Sequence, residues 1–153
     1  MTRNTLLNSV ILLITAILGV IGYKLSPMLR PNVDITLPVS PCNPGLQACI
    51  ATLPNDGRLE FSIEPRPIRP LQPLELSVSI TGFKADTMEI DFEGNEMKMG
   101  YNRPLLTASN GRFAWQTILP VCVSGTMEWT ATVLITTDKQ RIAVPFRFEI
   151  AGR

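Results

Sequence analysis

The sequence predicts an all-β domain of about seven short strands, preceded by one N-terminal transmembrane helix. An uncharged run fills residues 4–23, and after it apolar and polar residues alternate in short segments. Alternation with a period of two places one row of side chains in a core and the other row in water. Turn residues separate these segments at regular intervals, which is typical of a β-sandwich of the immunoglobulin-like type.

The uncharged run has the length of a membrane span. About 20 residues at a rise of 1.5 Å make roughly 30 Å of helix, which is the thickness of a bilayer core. A cleaved signal peptide is the competing interpretation, but Val20 and Gly22 form only a poor small-residue cleavage site. We therefore expect residues 1–23 to be an uncleaved, single-pass anchor.

The next segment, residues 24–52, is predicted to be a tether that ends in a cysteine loop. Four prolines between residues 24 and 41 predict a stiff, extended chain. Cys42 and Cys49 bracket a Pro-Gly turn, and their spacing suits a local disulfide worth about 2.5 kcal/mol. Because a disulfide implies an oxidising compartment, we expect the C-terminal domain to lie outside the cytoplasm. The overall look of the sequence is bacterial, so we expect an inner-membrane protein with this domain in the periplasm.

Residues 53–153 form the predicted sandwich domain, which has room for a single core. Six segments alternate, with one set of residues expected to face inward: Leu59, Phe61, Ile63; Leu74, Leu76, Val78, Ile80; Met88, Ile90, Phe92; Phe113, Trp115, Thr117, Leu119; Met127, Trp129, Ala131, Val133, Ile135; and Ile142, Val144, Phe146, Phe148, Ile150. The proline-rich residues 64–73 cannot form a central strand, so we expect them to cross between sheets.

Composition excludes several classes of function. The chain has no histidine, which removes Ser-His-Asp and Cys-His catalysis and imidazole metal sites. The net charge is +1, so no basic field exists for nucleic acid. Glu89, Asp91, Glu93 and Glu96 could hold an acid–base pair, but they alternate with core residues, and a solvated strand face explains them better. We therefore expect no enzymatic activity.

Four sulfur-bearing residues carry the remaining chemistry. Met97 and Met99 share one face of a predicted strand, Cys122 is the odd cysteine, and Met127 follows it by five residues. Methionine is common in cores, so these sulfurs could simply be packed there, and Cys122 could also be buried or exchange disulfides with a partner. Cu(I) prefers thiolate and thioether ligands, so the same residues could instead form a copper site.

The segments "MEIDFEGNEMKMGYNRPLL", "LPVCVSGTMEWTATV" and "VPFRFEI" also carry a family resemblance. Over residues 74–150 the chain resembles FixH and YtkA-like domains, which are membrane-tethered periplasmic immunoglobulin-like sandwiches with a mid-domain M-x-M. The resemblance implies copper handling and cytochrome oxidase maturation, with Met97, Met99 and Met127 as the matching positions. This chain departs from the pattern in lacking histidine, and Cys122 takes that place.

Together these observations predict a membrane-anchored periplasmic accessory protein that binds or delivers Cu(I), or assists cytochrome oxidase assembly. Its partners would be the membrane and copper chaperones or oxidase-assembly factors. The predicted metal ligands are Met97, Met99, Cys122 and Met127, which must converge on one point and reach solvent. The alternatives are a metal-free interaction or structural module of unknown partner, whose sulfurs lie in the core, and a thiol–disulfide partner.

Overall fold

The computed structural model describes residues 3–25, 32–82, 84–95, 103–109, 111–120 and 125–151. These residues fall into two compact units, Met1–Asn32 and Val33–Arg153. The second unit therefore begins about twenty residues before the boundary expected at residue 53. The reason is that part of the predicted tether pairs with the sandwich, as the strand order below shows.

The first unit contains one helix, α1, Arg3–Leu25. Its large apolar side chains are about half to four-fifths exposed: Val10, Ile11, Leu12, Leu13, Ile14, Ile17, Leu18, Val20, Ile21 and Tyr23. Side chains of α1 are described for residues 8–23. Among the helical residues described in this way, no helix is both long enough and apolar enough to cross a membrane. The anchor expected over residues 1–23 therefore stays a prediction.

The second unit is all β, and its described residues form nine strands. The strands are β1 Ile35–Thr36, β2 Cys49–Thr52, β3 Arg58–Glu64, β4 Pro73–Thr81, β5 Thr87–Gly94, β6 Thr107–Ser109, β7 Arg112–Ile118, β8 Thr126–Thr136 and β9 Arg141–Ala151. A short 3-10 helix, Pro54–Asp56, separates β2 from β3. The count exceeds the expected seven because β1 and β2 are short edge strands in the region that was predicted to be tether.

The nine strands form two sheets. The first sheet has the order β1-β9-β8-β5, and the second has the order β2-β3-β4-β7-β6. All neighbours are antiparallel except β1 and β9, which run parallel with Ile35 opposite Ile142. The predicted sandwich is thus confirmed as a two-sheet, mostly β architecture. Residues 64–73 do not cross between sheets as expected, because β3 and β4, which they join, are neighbours in the second sheet.

The core lies between the sheets and is built by the alternation seen in the sequence. Phe61 of the second sheet and Phe146 of the first have ring centroids 5.3 Å apart. Within the first sheet, Phe92 and Phe148 meet edge to face with centroids 6.4 Å apart. Large apolar side chains at the inward positions of β3, β5, β8 and β9 are almost completely buried. Pairs of this kind add stabilisation beyond the apolar area that they bury.

Strand β7 departs from the expected pattern. Trp115 stands opposite Leu76, so the two side chains share the inner face of the second sheet, yet Trp115 is 44% exposed. Strand β6 pairs with β7 only as far as Ala114. Beyond that point no described strand covers the outer edge of β7, and Trp115 lies at this open edge. Phe113 is also only partly buried, although it stands opposite Ala108 of β6.

Candidate functional site

The two segments that carry most of the predicted ligands both join the described fold at one end of the first sheet. Strand β5 ends at Gly94, which is opposite Trp129 near the start of β8. Asn95 continues this pairing, with its backbone N–H donating to the carbonyl of Glu128 at 3.0 Å. We call this region, Gly94–Asn95 with Gly125–Trp129, the β5–β8 end. The segment before Gly125 and the segment after Asn95 both attach there.

Three of the four predicted metal ligands lie outside the described residues. Met97 and Met99 fall in residues 96–102, and Cys122 falls in residues 121–124. The fold therefore gives the attachment points of these two segments, and convergence of the three sulfurs stays a prediction. Within the described residues, no group of three or more His, Cys, Asp or Glu side chains could hold a metal ion.

Met127, the fourth predicted ligand, is part of the core. It lies opposite Ile150 of β9, and only 4% of its surface is exposed. The sequence placed Met127 and Trp129 on one strand face, and the register bears this out, because Trp129 is also buried. A thioether with so little exposure is better explained by packing than by exchange of a metal with solvent.

Asn95 is held on the outer face of the same end by two side chains of β8. Its Nδ2 donates to Oε2 of Glu128 at 2.6 Å, and Oγ1 of Thr130 donates to its Oδ1 at 2.8 Å. Together with the backbone bond to Glu128, these contacts fix the residue that immediately precedes segment 96–102. In the sequence, the only signal for Asn95 is its position after the turn glycine, Gly94.

The indole nitrogen of Trp129, Nε1, is an unusual buried polar atom. The side chain is completely buried, and none of the residues that the structure describes offers its indole Nε1 a hydrogen-bond partner. Buried donors in native proteins are nearly always paired, and an unpaired one costs about 1–3 kcal/mol. Gly94 stands opposite Trp129 on one side and Phe148 on the other, so neither cross-strand neighbour offers a side-chain acceptor.

The predicted disulfide between Cys42 and Cys49 is present, with the two Cα atoms 5.7 Å apart. Cys49 is 1% exposed, while Cys42 is only partly buried. The enclosed loop packs inward at Gly45, where a Cβ atom would lie 3.4 Å from Cδ1 of Ile68 and 3.5 Å from Cβ of Phe148. The disulfide loop is therefore part of the folded domain and not a separate element of the tether.

Two of the three acidic residues of β5 form ion pairs, while the third, Glu93, is exposed. Glu89 pairs with Arg141, and Asp91 pairs with Arg103. The carboxylate side chains are 25% and 18% exposed, and the Arg141 side chain is 7% exposed. The sequence predicted that the outer face of β5 is simply solvated, and this prediction misses the two ion pairs. The reason is that Arg103 and Arg141 lie outside the strand, at distant positions in the chain. Glu96 lies outside the described residues.

Comparisons with known proteins identify no relative. No family model matches the chain, and no curated protein matches it. One matching solved structure is the crystal structure of an engineered protein, with 14% sequence identity and a TM-score of 0.48. The match covers 65% of this chain and 21% of that protein, so the chain spans about a fifth of its length. The resemblance to FixH and YtkA-like domains accordingly stays a prediction.

Proposed function

We propose that this protein is a membrane-anchored accessory protein of the bacterial periplasm that binds or delivers Cu(I), or assists cytochrome oxidase assembly. One observation carries the proposal. One flanking residue of each sulfur-bearing segment, Asn95 for residues 96–102 and Gly125 for residues 121–124, belongs to the β5–β8 end, where Asn95 is bonded to Glu128, three residues after Gly125. Segments attached so close together can bring Met97, Met99 and Cys122 to a single ion.

The proposed ligand set is two thioethers and one thiolate. Met97 and Met99 supply the thioethers, Cys122 supplies the thiolate, and soft donors of this kind favour Cu(I). Met127 was predicted as a possible fourth donor. Because it is 4% exposed in the core, we assign it to packing in this proposal. A three-sulfur site on a domain without histidine also suits transfer of the ion, since such soft ligands exchange readily.

The anchor rests on helix α1. Its 23 residues make about 34 Å of helix at 1.5 Å per residue, close to the thickness of a bilayer core. Large apolar side chains along residues 10–23 are about half or more exposed, and an exposed apolar surface of this kind is typical of a membrane or protein interaction site. The disulfide between Cys42 and Cys49 supports an oxidising compartment for the second unit.

An immunoglobulin-like topology supports the same assignment. Strands β3-β4-β7-β6 follow the order of the four-stranded sheet of a constant-type immunoglobulin domain, and β5-β8-β9 follow the order of its three-stranded sheet. Strands β1 and β2 are additions at the edges of these two sheets. This topology is the one that the resemblance to FixH and YtkA-like domains implies.

An anaerobic titration with Cu(I) against a competing chelator tests the proposed site. We expect one ion per chain, with binding weakened at least tenfold in Met97→Leu and in Cys122→Ser. Two matched controls come from buried methionines: Met127→Leu and Met88→Leu keep their volume in the core and should leave binding unchanged. Absence of binding in the wild-type chain, or equal loss in all four variants, would contradict the proposal.

A metal-free interaction module is the second candidate, and the exposed apolar side chains of β7 favour it. Trp115 is 44% exposed and Ile118 is 53% exposed, on opposite faces of one strand whose outer edge is open. If the chain binds no Cu(I) and the Cys122 thiol reacts with a thiol reagent only after denaturation, this candidate is the better one. Rapid reaction of Cys122 in the folded chain argues for the copper site.

A further inference from the structure

A groove runs between the edges of the two sheets, on the side opposite to β5 and β6. One wall is the segment 37–41, which continues β1 along β9, and the other wall is β2. The groove holds about 200 Å³, and its lining is Leu37, Pro38, Val39, Ser40, Pro41, Ile50, Ala51, Thr52 and Val144. No lining side chain is charged, and Val39 and Ile50 are 43% and 48% exposed.

The wall formed by β2 offers unpaired backbone groups. The N–H of Leu53 donates to the carbonyl of Gly57 at 2.7 Å. Leu53, Ala51 and Cys49 therefore direct their backbone N–H and C=O groups toward β3. In an antiparallel pair the intervening residues direct both groups away. Ile50 and Thr52 therefore turn their N–H and C=O groups toward the groove, where the described residues provide no backbone partner.

The opposite wall, residues 37–41, cannot form a backbone hydrogen-bond ladder with β2 or with an added strand. The N–H groups of Leu37 and Ser40 are used by β9, donating to Ala143 and Pro145 at 2.9 and 3.0 Å. Pro38 and Pro41 carry no N–H group at all. A strand that enters the groove can therefore form a ladder with β2 only, while its side chains contact the apolar wall.

Strand β2 is short, but it lacks the other features that usually protect a sheet edge. Its sequence, Cys-Ile-Ala-Thr, contains no charge and no proline, and its register with β3 shows no bulge. Natural proteins commonly block such edges with lysine, proline or a bulge. An edge that keeps its donors and acceptors open beside an apolar groove has the features of a strand-addition site.

A second copy of this chain fits the edge poorly. Strand β2 has four residues, and pairing two copies over that length would bury far less than the roughly 1,200 Å² that a stable interface needs. An extended peptide can pair with β2 and also fill the groove. We propose that β2 is the docking edge for an extended, uncharged segment of a partner protein, which adds a strand to the second sheet and places alternate apolar side chains against Leu37 and Val144.

The disulfide prepares the groove for this ligand. Cys42 follows directly after one wall, and Cys49 is the first residue of the other, so the Cys42–Cys49 bond joins the two walls at one end. A groove whose walls are fixed before binding loses less conformational freedom when the ligand enters. This inference concerns a different face from the β5–β8 end and does not depend on copper binding.

Amide hydrogen exchange tests the docking edge residue by residue. The full chain in detergent micelles is titrated with a capped peptide of alternating threonine and valine, seven residues long. We expect exchange at the Ile50 and Thr52 amides to slow at least tenfold at saturation. The same peptide N-methylated at its pairing positions serves as the control and should have no effect. Unchanged exchange at both amides, up to the solubility limit of the unmodified peptide, overturns the proposal.

Three variants show whether the peptide binds in this groove or elsewhere on the domain. Thr52→Pro removes a groove-side N–H, and Val39→Asp places a charge in the wall; each should weaken peptide binding at least tenfold. Ile118→Asp changes an equally exposed apolar residue on β7 and should leave binding unchanged. If the Ile50 and Thr52 amides are already protected without peptide, in a concentration-dependent way, a second copy covers the edge and the proposal is wrong.

Discussion

The rings of Phe61 and Phe146 meet across the two sheets with their centroids 5.3 Å apart, and both residues are fully buried. Phe61 lies on β3 and Phe146 on β9, so this contact joins the sheets at the centre of the sandwich. We expect Phe146→Ala to lower the free energy of unfolding by about 3–5 kcal/mol, since it removes buried apolar surface and leaves a cavity. Urea denaturation of residues 33–153 measures the change.

Trp115 provides the control for that prediction. It is an aromatic residue on the inner face of the second sheet, but it is 44% exposed. We expect Trp115→Ala to cost about 1 kcal/mol, because much of its apolar surface already contacts water. Equal losses for the two variants would mean that β7 is covered in solution.

The Cys42–Cys49 bond closes a loop with a sequence separation of seven, and the chain-entropy relation assigns it about 2.5 kcal/mol. The double variant Cys42→Ala/Cys49→Ala should therefore unfold at a correspondingly lower urea concentration. Wild-type protein with the disulfide reduced should behave like the double variant. A loss much larger than this would show that the loop also depends on the bond for its packing at Gly45.

Two ion pairs of different burial should contribute differently to stability. In the Glu89–Arg141 pair the arginine side chain is 7% exposed, whereas in the Glu64–Arg66 pair the two side chains are 53% and 25% exposed. Glu64→Gln should change the free energy of unfolding by less than about 1 kcal/mol. Arg141→Met should cost about 3 kcal/mol, because it leaves the Glu89 carboxylate without its partner.

A double-mutant cycle with Glu89→Gln and Arg141→Met isolates the pair from the other contacts of Arg141. The cycle should return a favourable coupling energy for this pair and one close to zero for Glu64 with Arg66. A near-zero value for both would indicate that the outer face of β5 is more solvated than its exposed fractions suggest.

The two tryptophans should be distinguishable by fluorescence. Trp129 is fully buried and Trp115 is 44% exposed. Emission of the Trp115→Phe variant should be blue-shifted and resist quenching by iodide, whereas the Trp129→Phe variant should retain the quenchable emission. Because the Trp129 indole N–H has no partner among the described residues, Trp129→Phe should also cost little beyond its lost volume. A large loss of stability in that variant would mean that the N–H is bonded in solution.

Much of the sandwich followed from the alternation of apolar residues, because each inward row of β3, β5, β8 and β9 packs against the opposite sheet. The exposure of Trp115 on β7 could not be predicted in this way. The pattern of β7 gives no sign that its pairing with β6 ends at Ala114 and leaves Trp115 at an open edge. Strands β1 and β2 were missed for another reason: two to four residues near prolines are too short for a periodic signal.

The sites were harder to derive than the fold. Local spacing was enough to pair Cys42 with Cys49. The clamp on Asn95 and the partners of Glu89 and Asp91 depend on contacts between residues that are far apart in sequence, such as Arg141 with Glu89. The contacts of Asn95 and Glu89 require the register of β5 against β8 and β9, and the contact of Asp91 with Arg103 requires residues 104–106 to return along β5. No single segment contains this information. Met127 was recognised as a sulfur residue, but its burial opposite Ile150 is set by that same register.

The parallel pairing of β1 with β9 also determines how the domain resists tension from its N-terminal side. Pulling at Val33 would load the bonds that join Asp34, Leu37 and Ser40 to β9. Once these bonds break, the chain is free only as far as Cys42, where the covalent link to Cys49 transfers the load to the second sheet. Under tension from the N-terminal side, residues 33–41 would therefore detach from β9 first, and the Cys42–Cys49 disulfide would limit how much chain is released before the core is loaded.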